Sequence, residues 1–545
     1  MKMIAPGANT ASSHGALQQR FSTLSTVAMA FAILNTWIAL AGSIGLILPS
    51  GSSVVFLYGF IFCVLCCFCV AASLGELSSI WPTAGGQYHF VFALCTDKWK
   101  KPTSFLVGWT SIAGWLVVVT VQGYFAGRCI SVYPRASINK TDLDSALFIC
   151  AAAVVASNET FEITPARTYG IFLAILTFTT AVNIWGNKIL GKWNDAALYW
   201  SILGVVVISV VLLSTSEKTD AEFVFTNFQN QTGWPDGMSW MLGLLQSALS
   251  LIAFDVVLHM TEEMPNPARD APRAMIYAIG IGGVTGTCFI LVILFCLTDP
   301  DVILSTSTGM PIVEMVLQAT KSRAAATILS LMLSVCFING SSASITSASR
   351  LLFAMARDRG IVFHKFFSHI QSGLNVPVHA ILFCYFFNVC FGLLYLGPTV
   401  AFSAYVASCT IFLDISYAVP IIVLLIRGRK TLGEHQSERT PFKMGKRWGL
   451  VVNVIALIYL VVTSVFFCFP TTLHVSGSNM NYVSVVLGTF GVLVTAYWLI
   501  YGKVFLGPGF DIITGHNQDV TNVLVLTAPS SLEDTSEKGT VVHQE

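Results

Sequence analysis

The chain has 545 residues, 54% of them hydrophobic and only 10% charged, with a mean hydropathy of +0.72 and a formal net charge of +1. A soluble protein carries about 25% charged residues, so a soluble globular fold is excluded. The near-zero net charge also leaves no bulk electrostatic basis for binding nucleic acid. What remains is an all-α, polytopic membrane protein whose first partner is the lipid bilayer.

A membrane span needs about 20 mostly apolar residues. Read in order, that criterion predicts twelve, near 25–49, 54–76, 103–128, 168–187, 194–214, 239–261, 274–297, 326–349, 377–396, 400–426, 448–469 and 481–504. A further apolar stretch, 146–157, is too short to cross and is expected to be an external helix or a re-entrant piece. Residues 1–22 are small and polar, and 506–545 are rich in Ser, Thr, Asp and Glu. Such segments have too little apolar surface to bury, so both are expected to be disordered tails around a transmembrane domain at 23–505. Residues 1–21 lack a basic start running into an apolar core, and no cleaved signal peptide is expected.

Orientation follows from the placement of Lys and Arg. With both termini in the cytoplasm, about three quarters of the 29 Lys and Arg fall in inside segments. The opposite orientation inverts that bias. Of four glycosylation sequons, those at Asn139, Asn158 and Asn230 fall in loops assigned outside, and the fourth, at Asn339, lies inside a span where it is inaccessible. Cys129 and Cys150 bracket one of those loops and either stay thiols or form a disulfide. The tighter cluster Cys63, Cys66, Cys67 and Cys69 lies on an apolar span, where small thiols pack against neighbours. No metal site is expected there, and no other cofactor.

Two spans are interrupted. In the first, Asn35, Thr36 and Trp37 break an apolar run. In the sixth, apolar residues lead to Phe254, and then Asp255 and His259 appear within bilayer depth. Glu262, Glu263 and the stop at Pro265 and Pro267 follow. Ionisable residues inside a span are costly and mark functional sites, and broken helices near the midplane are where secondary transporters meet their solutes. Asp255 is the candidate for holding a cation, or else it ties two helices together. Trp37 and Phe254 offer ring faces to an amine, or else pack in the core. His259 and Glu263 are four apart and suit a proton relay. The alternative is an inner gate, with Glu262 or Glu263 bonded to Arg350, Arg357 or the Gly85–Gly86 turn.

Two further stretches are patterned: Gly75-Glu76-Leu77-Ser78 through Trp81-Pro82-Thr83-Ala84-Gly85-Gly86-Gln87-Tyr88, and Ser349-Arg350 through Ala356-Arg357-Asp358. Both are read as loops at the cytoplasmic ends of the second and eighth spans. With Phe254-Asp255 through Glu262-Glu263, Asn266-Pro267 and Pro272, they make the chain resemble the amino acid–polyamine–organocation superfamily, most closely its fungal amino acid/choline transporter branch. The resemblance covers roughly residues 20–505. It implies a LeuT-type fold: two inverted repeats of five spans, two appended C-terminal spans, and unwinding in spans one and six. It also implies a permease for amino acids or small amines such as choline or gamma-aminobutyrate, often driven by protons. The first-span break departs from the G-S-x-x-G-x-G form of many members and carries Asn35 and Trp37 instead. A nutrient sensor of the same fold is the alternative. No phosphate-binding G-x-x-x-x-G-K loop is present, so neither ATP coupling nor an enzyme is expected. The plasma membrane is the expected location.

Overall fold

A computed structural model describes residues 22–131, 164–186, 188–300, 303, 311–438, 440–477 and 479–509. Asn139, Asn158, Cys150, the stretch 146–157 and both expected tails lie outside the described residues. The described structure is helical, and eleven of its helices are long and apolar enough to cross a membrane. The sixth predicted span is not among them, for a physical reason. Its helix stops at Leu249, the backbone runs irregularly, and a single turn resumes at Val256–His259.

The first span is broken in the same manner. A helix Thr23–Leu34 ends at Asn35 and a second begins at Thr36. Asn35 takes the left-handed conformation, φ 43° and ψ 36°. Among non-glycine residues Asn tolerates that region best, so the break is written into the sequence at this position. The two broken segments stand five spans apart. Five is odd, so the second set of five enters the bilayer from the opposite face, as inverted repeats require.

The third span (Lys100–Ser131) and the eighth (Arg323–Arg357) are the longest described helices and pack against each other at the centre. The N-terminal half of the first span packs on the fifth (Leu190–Thr215), the seventh (Pro267–Phe295) and the eighth. The tenth (Thr399–Arg427) packs on the third, on the eleventh (Lys446–Phe466) and on the twelfth (Val483–Tyr501). Burial separates core from periphery. Of its most apolar stretch the first span buries 89%, and the twelfth only 11%. Outward-facing Trp448, Leu499 and Ile500 form part of the lipid-facing surface.

The patterned stretch after the second span (Ser52–Ile80) is not a simple connector. Glu76 is buried and accepts both Arg429 Nη2 (2.6 Å and 2.8 Å) and the Met444 amide (3.0 Å), tying the loop between spans ten and eleven to the second span. Gly86 then turns the chain into a helix Gln87–Leu94 with φ 55° and ψ −120°, a combination that L side chains avoid. A Cβ there would also lie 3.2 Å from Leu258 Cβ and 3.4 Å from His259 Cε1. Gly86→Ala is therefore expected to destabilise the protein by about 1–3 kcal/mol. Thermal unfolding of the detergent-solubilised protein checks this, with the melting temperature falling by several degrees.

The second patterned stretch is helix and not loop. The eighth span continues to Arg357, so Arg350 sits inside the bundle and is fully buried. Glu263 supplies its partner at depth, one of the pairings the sequence offered as an alternative.

Candidate functional site

The two breaks face one cavity. Ile33, Leu34, Ala39 and Ser43 line it from the first span, and Leu249, Ile252 and Ala253 from the sixth. The third span adds Val118, Val121, Gln122 and Phe125, the eighth Phe337, and the tenth Cys409. No ionisable carboxylate, lysine or arginine is on this wall. Its recognition chemistry is broken backbone, the Gln122 amide and the stacked rings of Phe125 and Phe337, with centroids 5.3 Å apart.

The broken backbone is held in specific ways. Gln122 Nε2 donates to the Ile33 carbonyl at 2.9 Å. Asn35 Nδ2 donates to the Cys336 carbonyl on the eighth span at 3.1 Å. That approach needs Gly340, where a Cβ would come within 2.7 Å of Gln122 Oε1 and 2.8 Å of Asn35 Nδ2. Ala253 holds φ 71°, a strained value for an alanine, and its N–H donates to Tyr417 Oη of the tenth span at 3.2 Å. The N–H groups of Ile252, Phe254 and Asp255 take no hydrogen bond among the described residues. Asn35 Oδ1 is likewise buried and unpaired. Buried polar groups are rarely left so, and such orphans suit a polar solute.

Asp255 is fully buried and is not on the cavity wall. Its Oδ2 accepts from Gln87 Nε2 at 2.6 Å and Trp115 Nε1 at 3.3 Å, and its Oδ1 from Tyr417 Oη at 2.6 Å. His259 Nε2 is 3.3 Å from Oδ2, near enough for an ion pair but out of line for a hydrogen bond. The other imidazole nitrogen, Nδ1, faces the Ala84 carbonyl at 3.0 Å. A carbonyl only accepts, so Nδ1 carries the proton. Asp255 is thus a junction joining the sixth segment, the third span, the tenth span and the Gln87–Leu94 helix.

The remaining sequence-predicted residues are placed as follows. Trp37 turns to the fifth and seventh spans, where Nε1 donates to Ser201 Oγ at 2.9 Å and the ring meets Phe289 edge-on at 5.2 Å. Thr36 faces Gly282 of the seventh span. Phe254 packs on the Tyr417 ring, with centroids 5.3 Å apart. The single turn Val256–His259 ends before Glu263, so the structure pairs His259 with Asp255 and not with Glu263. Glu263 Oε1 takes Arg350 Nε at 2.9 Å, both buried. Glu262 receives a two-pronged contact from Arg357 at 2.8 and 3.0 Å, with both side chains partly exposed. Asn230 Nδ2 donates to the Trp234 carbonyl at 2.6 Å and to Asp236 Oδ1 at 3.0 Å.

Sequence reasoning missed Tyr417, Trp115, Phe125 and Phe337. Nothing in an apolar span says which aromatic faces a cavity. It also passed over Asp414, an ionisable residue in the middle of the tenth span.

A helical bundle of membrane-spanning length and composition, with two half-broken spans facing one cavity, has the architecture of a membrane transporter. Residues 21–491 match the profile of the amino acid permease family, and the chain belongs to that family, within the amino acid–polyamine–organocation superfamily. It is 31% identical to a choline transporter of Saccharomyces cerevisiae over 92% of this chain and 84% of that protein. It is 29% identical to the amino-acid permease BAT1 of Arabidopsis thaliana over 91% of this chain and 95% of that protein. A transmembrane transporter, swnT, of Metarhizium robertsii is 28% identical over 89% of this chain and 92% of that protein.

Proposed function

We propose that this permease moves amino acids or related small amines, such as choline or gamma-aminobutyrate, by alternating access and is driven by protons. The observation that carries the reading is the pair of breaks whose flanking residues, Ile33 and Leu34 before Asn35 and Ile252 and Ala253 in the sixth segment, line one cavity. Half-helix ends and free backbone groups suit the charged ends of such a solute. The Phe125 and Phe337 rings suit its cationic end. An amino acid also has a carboxylate, which the free N–H groups of the sixth-segment break can meet. Among similar proteins are a choline transporter and an amino-acid permease, which favours the same solute class.

The ion pairs Glu263–Arg350 and Glu262–Arg357 stand, on this reading, at the inner gate, where the basic ends of the spans mark the cytoplasmic side. Both termini are cytoplasmic and the plasma membrane is the site of action. Uptake of labelled choline, gamma-aminobutyrate and a panel of amino acids in cells stripped of their own permeases tests the reading. We expect one class to accumulate, faster at acid external pH and sensitive to uncoupler. Accumulation that ignores pH and uncoupler refutes the proton drive. No uptake of any amine by protein that has reached the membrane refutes the solute class.

A further inference from the structure

Asp414 lies in the middle of the tenth span and is buried, with 5% of its surface exposed. No Lys, Arg or His stands within ion-pair distance of it among the described residues. Among the described residues its one hydrogen-bond contact is Thr463 Oγ1 on the eleventh span, 3.4 Å from Oδ2. A threonine hydroxyl has a single hydrogen. Thr463 Oγ1 also lies 2.7 Å from the Tyr459 carbonyl, which can only accept. That nearer carbonyl has the stronger claim on the hydrogen. Asp414 Oδ2 is thus left with a long contact to a hydroxyl that has two closer acceptors, the Tyr459 and Leu460 carbonyls, an arrangement that suits a carboxyl carrying its own proton. An ionised Asp414 would be a buried charge with no donor, a strongly unfavourable arrangement.

The surroundings fit a group that gains and loses a proton. A second cavity opens beside Asp414, between the second, sixth, tenth and eleventh spans, with Phe254, Tyr417 and Tyr459 on its wall. Ile252, at the break in the sixth segment, lines both this cavity and the central one. Tyr417 sits one turn beyond Asp414 on the same helix. It donates to Asp255 and receives the Ala253 N–H, so it grips the break from the tenth span. The other titratable groups facing Asp414 are Cys63 and Cys67 on the second span, Tyr459 on the eleventh, and Cys409 and Tyr417 on its own helix. Thiols and phenols are ordinarily neutral near pH 7. No charged group from the third span, the twelfth span or the Gln87–Leu94 helix faces it among the described residues.

We infer that Asp414 is a proton-binding site, and that its occupancy is read by the sixth-segment break through Tyr417 and Ile252. The carboxyl takes one proton from water on the acidic side and holds it neutral in the conformation described here. It gives the proton up to water on the other side when the tenth span and the break rearrange. The ionised form needs donors that this packing does not supply, so losing the proton favours a different packing. The inference rests on the proton-driven reading above.

The test measures uptake against external pH in the intact protein, for wild type, Asp414→Asn, Asp414→Glu and Thr463→Val, each corrected for surface amount. Infrared spectra of the purified proteins, read for a protonated carboxyl band, are taken alongside. Wild type is expected to rise at acid pH. Asp414→Asn should lose that slope and the band together. Asp414→Glu should keep a slope with a displaced midpoint, and Thr463→Val should displace it too. A wild-type slope retained in Asp414→Asn overturns the inference. If Asp414→Asn fails to reach the membrane, unchanged profiles in both other variants overturn it. If wild-type uptake ignores pH and uncoupler, the proton-driven reading fails instead, and the band still decides whether Asp414 holds a proton.

Discussion

Replacing Arg350 by methionine is expected to lower folding stability by about 3–5 kcal/mol, the range seen when one member of a buried ion pair is removed. Arg350 is fully buried, and Glu263, its partner at 2.9 Å, is only 2% exposed. The methionine fills much of the volume, but the glutamate stays in the bundle with its charge and no donor. Little of this variant should reach the cell surface, and what is purified should melt well below wild type. Adding Glu263→Gln to the same chain removes the stranded charge and should recover part of the loss. Arg357→Met is the informative contrast. Its pair with Glu262 is partly exposed, 31% at Arg357 and 26% at Glu262, and such bridges contribute about 0–1 kcal/mol. A melting temperature for Arg350→Met equal to that of Arg357→Met would contradict the assignment of Glu263–Arg350 as a buried pair.

The second large effect is expected at Asp255. Asp255→Asn is nearly the same shape, yet it places an amide where two oxygens now accept from Gln87, Trp115 and Tyr417. One amide oxygen can still take Tyr417. The amide nitrogen then confronts Gln87 Nε2 and the Trp115 indole N–H, donor against donor. Hydrogen bonds to a charged group contribute about 1.5–3 kcal/mol each. Loss of two loosens the sixth-segment break from the third span and from the Gln87–Leu94 helix. Uptake per surface molecule should fall about 100-fold or more, since about 2.7 kcal/mol corresponds to that factor. The defect should appear for every transported solute alike, because Asp255 is not on the cavity wall. A change confined to the apparent affinity for cationic solutes would instead make Asp255 their direct partner.

Much of the architecture was legible in the sequence because bilayer chemistry is strict. Each of the twelve predicted segments overlaps a described helix, and the two interruptions were visible as polar residues in apolar runs. Asn35 is a residue suited to a left-handed break, and Asp255, Pro265 and Pro267 are residues costly in a continuous span. What the side chains do at those breaks was not legible. Trp37 looked like a cavity residue, but the left-handed turn at Asn35 rotates the following helix so that its ring meets the fifth and seventh spans. Glu263 looked like a helical neighbour of His259. The helix stops at His259, so the four-residue spacing puts the two side chains on different partners. The pairing of Glu262 or Glu263 with Arg350 or Arg357 was legible as an alternative, but that the Glu263–Arg350 pair, 87 residues apart in the chain, lies buried was not. Asp414 gave the same signal as Asp255, an acid at mid-span, but its helix runs unbroken from Thr399 to Arg427, through Pro420, so no break marks it.

The central claim is that this chain alone carries a small amine across a bilayer through the cavity between its two broken spans. Counterflow in liposomes holding only the purified protein tests it most directly. Vesicles are loaded with unlabelled solute, diluted into a trace of the labelled form, and sampled for a transient excess inside. The account predicts such an overshoot for the amine taken up by cells, absent from empty vesicles and strongly reduced in Asp255→Asn. Folded wild-type protein that binds the amine but gives no overshoot would contradict it, and would make the protein a receptor for that solute.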